Sequence, residues 1–117
     1  MSNTLPEHIE VIEAGYEFLL AYAAQGRESD ESKDGRSEVR ATLEGMSKAA
    51  AGIAESLLSD DRDFSTVVVD DAKKSIAAIS LVVGQRKISS ELVDNLNASI
   101  HLRALLTDLF LLSETLG

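Results

Sequence analysis

Apolar side chains recur along the chain every three or four residues, which is the period of an amphipathic α-helix rather than of a β-strand. The pattern falls into four segments, at about 5–25, 37–58, 63–83 and 89–115. The single proline, Pro6, lies in the first turn of the first segment, where a helix tolerates it. The sequence therefore predicts an all-α protein.

Residues typical of helix ends stand at the borders of these segments. Thr4 and Glu7 have the spacing of a capping box, in which each side chain satisfies a backbone amide at the start of a helix. Gly26 follows the first segment and is suited to a left-handed stop, and Gly84 follows the third. Ser89 opens the fourth segment, which the pattern predicts as one continuous helix to about Thr115.

The second segment carries a narrow apolar seam with unusually small flanking residues. The seam residues alternate in steps of four and three: Val39, Leu43, Met46, Ala50, Ile53 and Leu57. Gly45 and Gly52 are among the flanking positions, where small side chains allow a neighbouring helix to approach closely. In the third segment the run 67–69 is all valine, but the helical stripe continues across it, so we expect helix there too.

The connections between segments suggest the architecture. Residues 27–36 form a polar linker without a large apolar residue, and we expect this linker to be mobile. One long and two short connections favour a single domain over 1–117, an antiparallel (up-down) four-helix bundle. The alternative is a pair of helical hairpins that completes its bundle by dimerising, and both give the same pattern.

The composition excludes several classes of function. The chain has 117 residues and a net charge of −9, with 20 acidic and 11 basic side chains and no basic cluster, which argues against nucleic-acid binding. It has no cysteine, so disulfides and thiolate metal sites are excluded. No apolar run is long enough to cross a membrane, and no targeting segment is visible. We therefore expect a cytoplasmic protein.

Catalytic motifs are also missing from the sequence. Glu-x-x-His, which di-iron bundles need, does not occur, nor does a glycine-rich phosphate loop. His101 lacks the lysine and glycine that follow the phosphorylated histidine of phosphotransfer bundles. Glu10 and Glu13 match one half of the magnesium motif of helical pyrophosphohydrolases, but such letters are common in acidic helices. We expect no enzyme activity, no metal and no cofactor.

Two helices have faces that favour protein binding. On the first helix Glu10, Glu13 and Glu17 form an acidic face without any basic residue, which either suits a basic partner surface or is a solvated face that only keeps the protein in solution. The apolar arcs of the first and fourth helices are wider than one core-facing stripe, and their candidate anchors are Tyr16, Phe18, Tyr22, Leu109 and Leu112. The sequence thus predicts a non-enzymatic interaction module, either an adaptor, a chaperone-like protein or a regulatory subunit, and a homodimer.

A second interpretation concerns Arg103. On one continuous fourth helix this arginine would share a face with Leu92 and Leu96, and a charge on an apolar face needs a partner. Arg103 is then either an arginine at the rim of the bundle whose charged head group reaches water, or a ligand for an anion. The second case gives the alternative function, a small-ligand-binding bundle that holds an anionic ligand near Arg103.

Overall fold

The computed structural model describes residues 4–31 and 35–115, and these residues form five α-helices and no strand. The helices are α1 (Leu5–Ala23), α2 (Glu38–Leu57), α3 (Asp63–Val83), α4 (Ser90–Ala98) and α5 (His101–Glu114). The predicted all-α class is confirmed, whereas the prediction of one continuous fourth helix is wrong. Residues 32–34 of the predicted mobile linker lie outside the described residues.

The helices surround one apolar core. α2 packs between α1 and α3, while α4 and α5 together contact α1 and α3 from the remaining side. The α2 seam predicted from the sequence is buried along its whole length, and the valine run of α3 is helical. The largest fully buried side chains include Ile12, Leu19, Leu43, Met46, Ile53, Ile79, Leu105 and Leu109.

The start of α1 has one half of the capping box that its sequence predicts, because the Thr4 side chain accepts from a backbone amide whereas the Glu7 carboxylate accepts from the Thr4 hydroxyl. The Glu7 amide donates to Thr4 Oγ1 at 3.4 Å, and the Thr4 hydroxyl donates to Glu7 Oε1 at 3.0 Å. At the other end the helix stops at Ala23, and Gly26 has a φ of +65°, which glycine adopts without strain. The cap and the left-handed glycine therefore fix where α1 begins and where the chain turns away.

α1 and α2 approach each other closely at two glycines. A Cβ added at Gly15 would lie 2.5 Å from the Met46 side chain, and one added at Gly52 would overlap the ring of His8. Gly45, one of the small flanking residues of the predicted seam, has open space where a Cβ would be. Close packing therefore requires a glycine at two of these three positions.

The chain breaks its helical path between α4 and α5. α4 ends at Ala98, and Ile100 takes a left-handed φ of 64° before α5 begins at His101. The Leu96 carbonyl, which a continuing helix would pair with the amide of residue 100, accepts instead from the Ser99 amide at 3.2 Å and from the Ser99 hydroxyl at 2.6 Å. A left-handed β-branched residue is strained, and this break is held by the packing of the helices on either side.

Arg40 joins the end of α3 to the linker. Its guanidinium donates to the carbonyls of Val83 at 2.6 Å and Gln85 at 3.0 Å, which are left without helical partners at the end of α3. Its Nε also donates to the carboxylate of Asp30 at 3.4 Å. Asp30 is 4 % exposed, and its other oxygen accepts from the Ile88 amide at 2.9 Å.

Ser90, the first residue of α4, makes a second connection between the linker and the helices. The Arg27 amide donates to Ser90 Oγ at 2.8 Å, and the Ser90 amide donates to the Arg27 carbonyl at 2.8 Å. The Ser90 hydroxyl in turn donates to the Tyr22 carbonyl at 2.7 Å. The described part of the linker is thus held by polar contacts, which a search for apolar anchors does not detect.

Candidate functional site

The acidic face of α1 is present on the surface. Glu10, Glu13 and Glu17 are all exposed, and α1 contains no lysine or arginine. α1 packs directly against α5, the helix that carries the exposed side chains of Phe110 and Leu111. The three carboxylates add to the negative electrostatic potential of the protein surface.

The three aromatic anchors expected on α1 do not share one environment. Tyr16 and Phe18 are half-buried and pack against the core. Tyr22 is only 1 % exposed, and its hydroxyl donates to the Ile88 carbonyl at 2.5 Å. Tyr22 does not lie on the surface as expected of a partner-binding anchor, because its ring is part of the core and its hydroxyl already has an acceptor. Burial raises the pKa of this phenol above its usual value, and the nearby charge of Arg27 opposes the shift.

The expected anchors on α5 are also core residues, and their neighbours take the surface positions. Leu109 is 0 % and Leu112 2 % exposed, so neither side chain projects from the surface of the described structure. Phe110 and Leu111, which lie between them, are 47 % and 56 % exposed. We call Phe110 and Leu111 the α5 apolar end. The break before α5 sets which leucines point inwards, and a wheel drawn through a continuous helix assigns them differently.

A cavity lies beside the α5 apolar end. It has a volume of about 420 Å³ and is lined by Arg62, Phe64, Leu111, Leu112 and Thr115. Phe64 comes from the first turn of α3, so the cavity lies where α3 begins and α5 ends. An apolar side chain of a partner that entered this cavity would contact Phe64 and Leu111 and leave water at the same time.

Arg103 does not lie where the sequence placed it. The side chain is exposed, and the buried residues of α5 are Leu102, Leu105, Leu106, Leu109 and Leu112. The expectation of an arginine on the apolar side is wrong, because the break at Ile100 changes the rotational phase between Leu96 and Arg103. An exposed arginine needs no buried partner, so the argument for an anionic ligand at this position loses its physical basis.

A groove between α3 and α4 was not foreseen. Its volume is about 540 Å³, and its apolar lining consists of Ala77, Ala78, Leu81, Val82, Leu92 and Leu96. Its polar lining residues are Lys74, Asn95, Ser99 and His101. We call it the α3–α4 groove. Leu81 is 70 % exposed, more than any other large apolar residue in the described ranges. The sequence signal was the run 79–83, which holds more apolar residues than one helix stripe can bury.

Two carboxyl groups meet where α3 packs against α5. Asp71 and Asp108 are both half-buried, and one oxygen of Asp108 is buried without a hydrogen-bond donor in the described part of the chain. Burial, together with the proximity and negative charge of Asp71, raises the pKa of Asp108 to about 7. The pair can therefore hold a proton near neutral pH.

Neither histidine belongs to a metal-binding cluster. His8 is half-buried against Gly52, and its Nδ1 is buried without a hydrogen-bond partner among the described residues. His101 lies at the start of α5, and its carbonyl accepts from the Ser75 hydroxyl at 3.0 Å. In residues 4–31 and 35–115, no group of three or more histidine, cysteine or acidic side chains is arranged to hold a metal ion.

None of the helices in the described ranges combines the length and the apolar character that crossing a membrane requires. Comparisons with models of protein families, with curated proteins and with solved structures gave no match for this chain.

Proposed function

We propose that this protein is a non-enzymatic interaction module that binds a partner protein through the α5 apolar end. The observation that carries the proposal is the exposure of Phe110 and Leu111 beside an apolar cavity, on a helix whose other large apolar residues are buried. Adjacent exposed aromatic and aliphatic side chains next to a cavity are typical of the few residues that dominate the binding energy of an interface. An adaptor or regulatory subunit would use such a surface.

The partner we propose carries an apolar anchor with basic residues around it. The net charge of the chain is −9, and the acidic face of α1 lies on a helix that packs against α5. Complementary charge raises the rate at which two proteins meet and disfavours acidic competitors. Glu10, Glu13 and Glu17 would therefore steer the partner, while the α5 apolar end would hold it.

A second copy of this chain is the competing occupant, and it corresponds to the homodimer expected from the sequence. Two copies that met through this end would bring two acidic surfaces together, which costs free energy unless cations screen the charges. Sedimentation at low and high salt separates the two cases. A monomer under both conditions favours the partner protein, and a dimer that dissociates in Leu111→Glu assigns the α5 apolar end to self-association.

Affinity capture with two matched variants tests the proposal. Leu111→Glu places a charge in the α5 apolar end, whereas Leu81→Glu makes the same change on α3, about 25 Å further along the helix from Phe64 at 1.5 Å per residue. Both leucines are exposed, at 56 % and 70 %, so both variants are expected to fold. We expect a stoichiometric partner that Leu111→Glu loses and Leu81→Glu retains. Equal capture by all three proteins, or no partner, would contradict the proposal.

A further inference from the structure

We propose that the α3–α4 groove binds a small amphiphile that has an aliphatic tail and a carboxylate head. The groove is independent of the α5 apolar end, since the two share no lining residue. Its volume of about 540 Å³ falls in the range of small-molecule sites, which is about 300–1,000 Å³. Its walls are aliphatic, and its polar groups are few, as such sites require.

The charges around the groove favour an anion. No carboxylate occurs among the described lining residues, although the whole chain has 20 acidic side chains and a net charge of −9. The lining does include the ammonium group of Lys74 and the side chain of His101, whose ring carries an N–H donor in either neutral tautomer. A ligand carboxylate bound in this groove would therefore meet hydrogen-bond donors, and no acidic lining residue would repel it.

Lys74 is free to take an anionic ligand at little cost. Its Nζ lies 3.1 Å from Asp70 Oδ2, in a pair whose side chains are 53 % and 62 % exposed. Exposed pairs at this spacing on a helix are weak, because water competes with both charges. A ligand carboxylate could therefore draw the ammonium group away from Asp70. Ser99, by contrast, already donates its hydroxyl to Leu96, so we assign the head group to Lys74 and His101.

The aliphatic part of the groove accounts for the tail. Ala77 and Ala78 are small, and they leave space between α3 and α4 that larger side chains would occupy. Leu81 borders that space while 70 % of its surface is exposed to water. A bound tail would cover Leu81 and remove apolar surface from water on both molecules. The unusual exposure of this leucine is thus explained by an occupant.

The junction of α4 and α5 contributes two polar residues to the lining of the groove, Ser99 and His101. The Ser75 hydroxyl holds the His101 carbonyl at 3.0 Å, which fixes the start of α5 against α3. The left-handed conformation of Ile100 turns the chain at that point, between the lining residues Ser99 and His101. The polar lining residues at this junction suit the head group of a small molecule, while the aliphatic residues of α3 and α4 suit its tail.

Titration with three probes that share one tail tests the head group. Decanoate, decanol and decyltrimethylammonium are each added to isotopically labelled protein, and backbone amide shifts report both site and affinity. We expect decanoate to shift the amides of residues 74–82 and 92–101 and to bind about tenfold more tightly than the cationic probe. Absence of saturable binding, preference for the cationic probe, or shifts confined to another surface would overturn the proposal.

Two neighbouring lysines supply a matched control. Lys74→Gln removes the proposed head-group contact, and Lys73→Gln removes the same charge from an exposed residue that does not line the groove. We expect Lys74→Gln to weaken decanoate binding about fivefold and Lys73→Gln to leave it within about twofold, because only the first charge is close to the ligand. If both substitutions weakened decanoate binding equally, the preference for an anion would come from the net charge of the protein alone, and the proposed site at Lys74 would be wrong.

The remaining occupants give distinct results. If a second copy covers the groove, dilution shifts the same amides without any ligand, and the proposal is overturned. If a partner protein uses it, Leu81→Glu abolishes the capture described above, which overturns the docking through α5 as well. If only the proposed function is wrong, Leu111→Glu captures the same proteins as the wild type while decanoate still binds the groove.

Discussion

Asp108 on α5 and Asp71 on α3 are both half-buried carboxyl groups, and burial together with the proximity of Asp71 raises the pKa of Asp108 to about 7. Two carboxylates in contact repel each other when both are ionised, and burial weakens the solvation that would otherwise offset the repulsion. A shared proton relieves both effects, so the helices pack best when the pair holds one. The α3–α5 interface is thereby linked to pH.

We expect the free energy of unfolding to fall as the pH rises through about 7. The pKa of Asp108 is about 7 in the folded protein and 3.8 when unperturbed, so the folded state binds this proton more tightly. The protonated pair contributes its full share of the free energy of unfolding at pH values below the unperturbed pKa. This contribution is lost as the pH rises through the pKa of the folded state. Because the site is partly solvated, we expect a loss on the order of 1 kcal/mol. Urea unfolding between about pH 5 and pH 8 measures it.

The matching substitution is Asp108→Asn, which keeps the shape and cannot ionise. It should flatten the pH dependence and raise stability at high pH, where the wild type has lost its proton. Asp94→Asn, on the exposed face of α4, is the control and should leave the slope as it is. A wild-type curve that is flat over this range, or an unchanged slope in Asp108→Asn, would show that the pair does not bind the proton as inferred.

Glycine-to-alanine substitutions should have opposite effects on the two faces of α2. Gly52→Ala would force the new methyl group into the His8 ring, and overpacking of this kind costs about 1–3 kcal/mol. Gly45→Ala meets open space, and the higher helix propensity of alanine should stabilise by up to about 1 kcal/mol. Thermal unfolding of the two variants, with His8→Ala combined with Gly52→Ala to relieve the overlap, checks the sign of each. Similar changes at both positions would argue against the close approach at Gly52.

Arg40→Ala should be among the most damaging substitutions of a partly exposed residue. It removes the donors to Val83 and Gln85 and leaves the carboxylate of Asp30 buried without its counter-charge. Breaking a buried pair from one side costs about 3–5 kcal/mol, and the partial exposure of Arg40 places this case near the lower end. Arg40→Lys keeps the charge without the planar fork and should lose an intermediate amount. Chemical denaturation measures the loss of unfolding free energy in both variants. A loss in Arg40→Ala no larger than that of an ordinary surface substitution would contradict the proposed role of Arg40 in holding α3 to the linker.

The pH dependence of this contact has the opposite sign to that of Asp108. Burial acts to raise the pKa of Asp30, but hydrogen bonds from Ser37 and the Ile88 amide and the charge of Arg40 outweigh it, and the pKa is lowered below 3.8. The ionised Asp30 therefore stabilises the fold fully at pH values above its unperturbed pKa. This stabilisation is lost as the pH falls through the lowered pKa of the folded state. Acid unfolding of Asp30→Asn should show a smaller dependence below about pH 4.

Neutralising the acidic face of α1 should slow partner binding more than it shortens the lifetime of the complex. Replacing Glu10, Glu13 and Glu17 together by glutamine removes three charges, and steering charges act mainly on the association rate. We expect the salt dependence of that rate to become flatter. The control is the triple substitution of Glu38, Glu44 and Glu55 on α2, which removes the same charge from another exposed surface. If the association rates of both variants showed the same salt dependence, the net charge of the protein, and not the acidic face of α1, would steer the partner.

Features that repeat along the chain were predictable, and features that depend on two distant segments were not. The α2 seam from Val39 to Leu57 follows from the period of its apolar residues, and the cap at Thr4 follows from its spacing to Glu7. The contact of Asp71 with Asp108 needs the register of α3 against α5, which no local pattern contains.

The candidate site shows the same division more strongly. The exposure of Glu10, Glu13 and Glu17 was predictable because a run of carboxylates rarely enters a core. The positions of Leu109, Leu112 and Arg103 were not, because a strained isoleucine at residue 100 rotates everything that follows. Helix propensity alone gives no reason for a β-branched residue to adopt a left-handed conformation, so the break comes from the packing of the finished fold.

The break at Ile100 also bears on how the sequence can change in length. In an uninterrupted helix one inserted residue rotates every later side chain by about 100°, which would carry the leucines of α5 out of the core. A joint that already abandons helical geometry can absorb an added or deleted residue locally, while the leucines keep their places. The α4–α5 junction is therefore where this fold can lengthen or shorten at least cost, and α2, with its unbroken seam, is where it cannot.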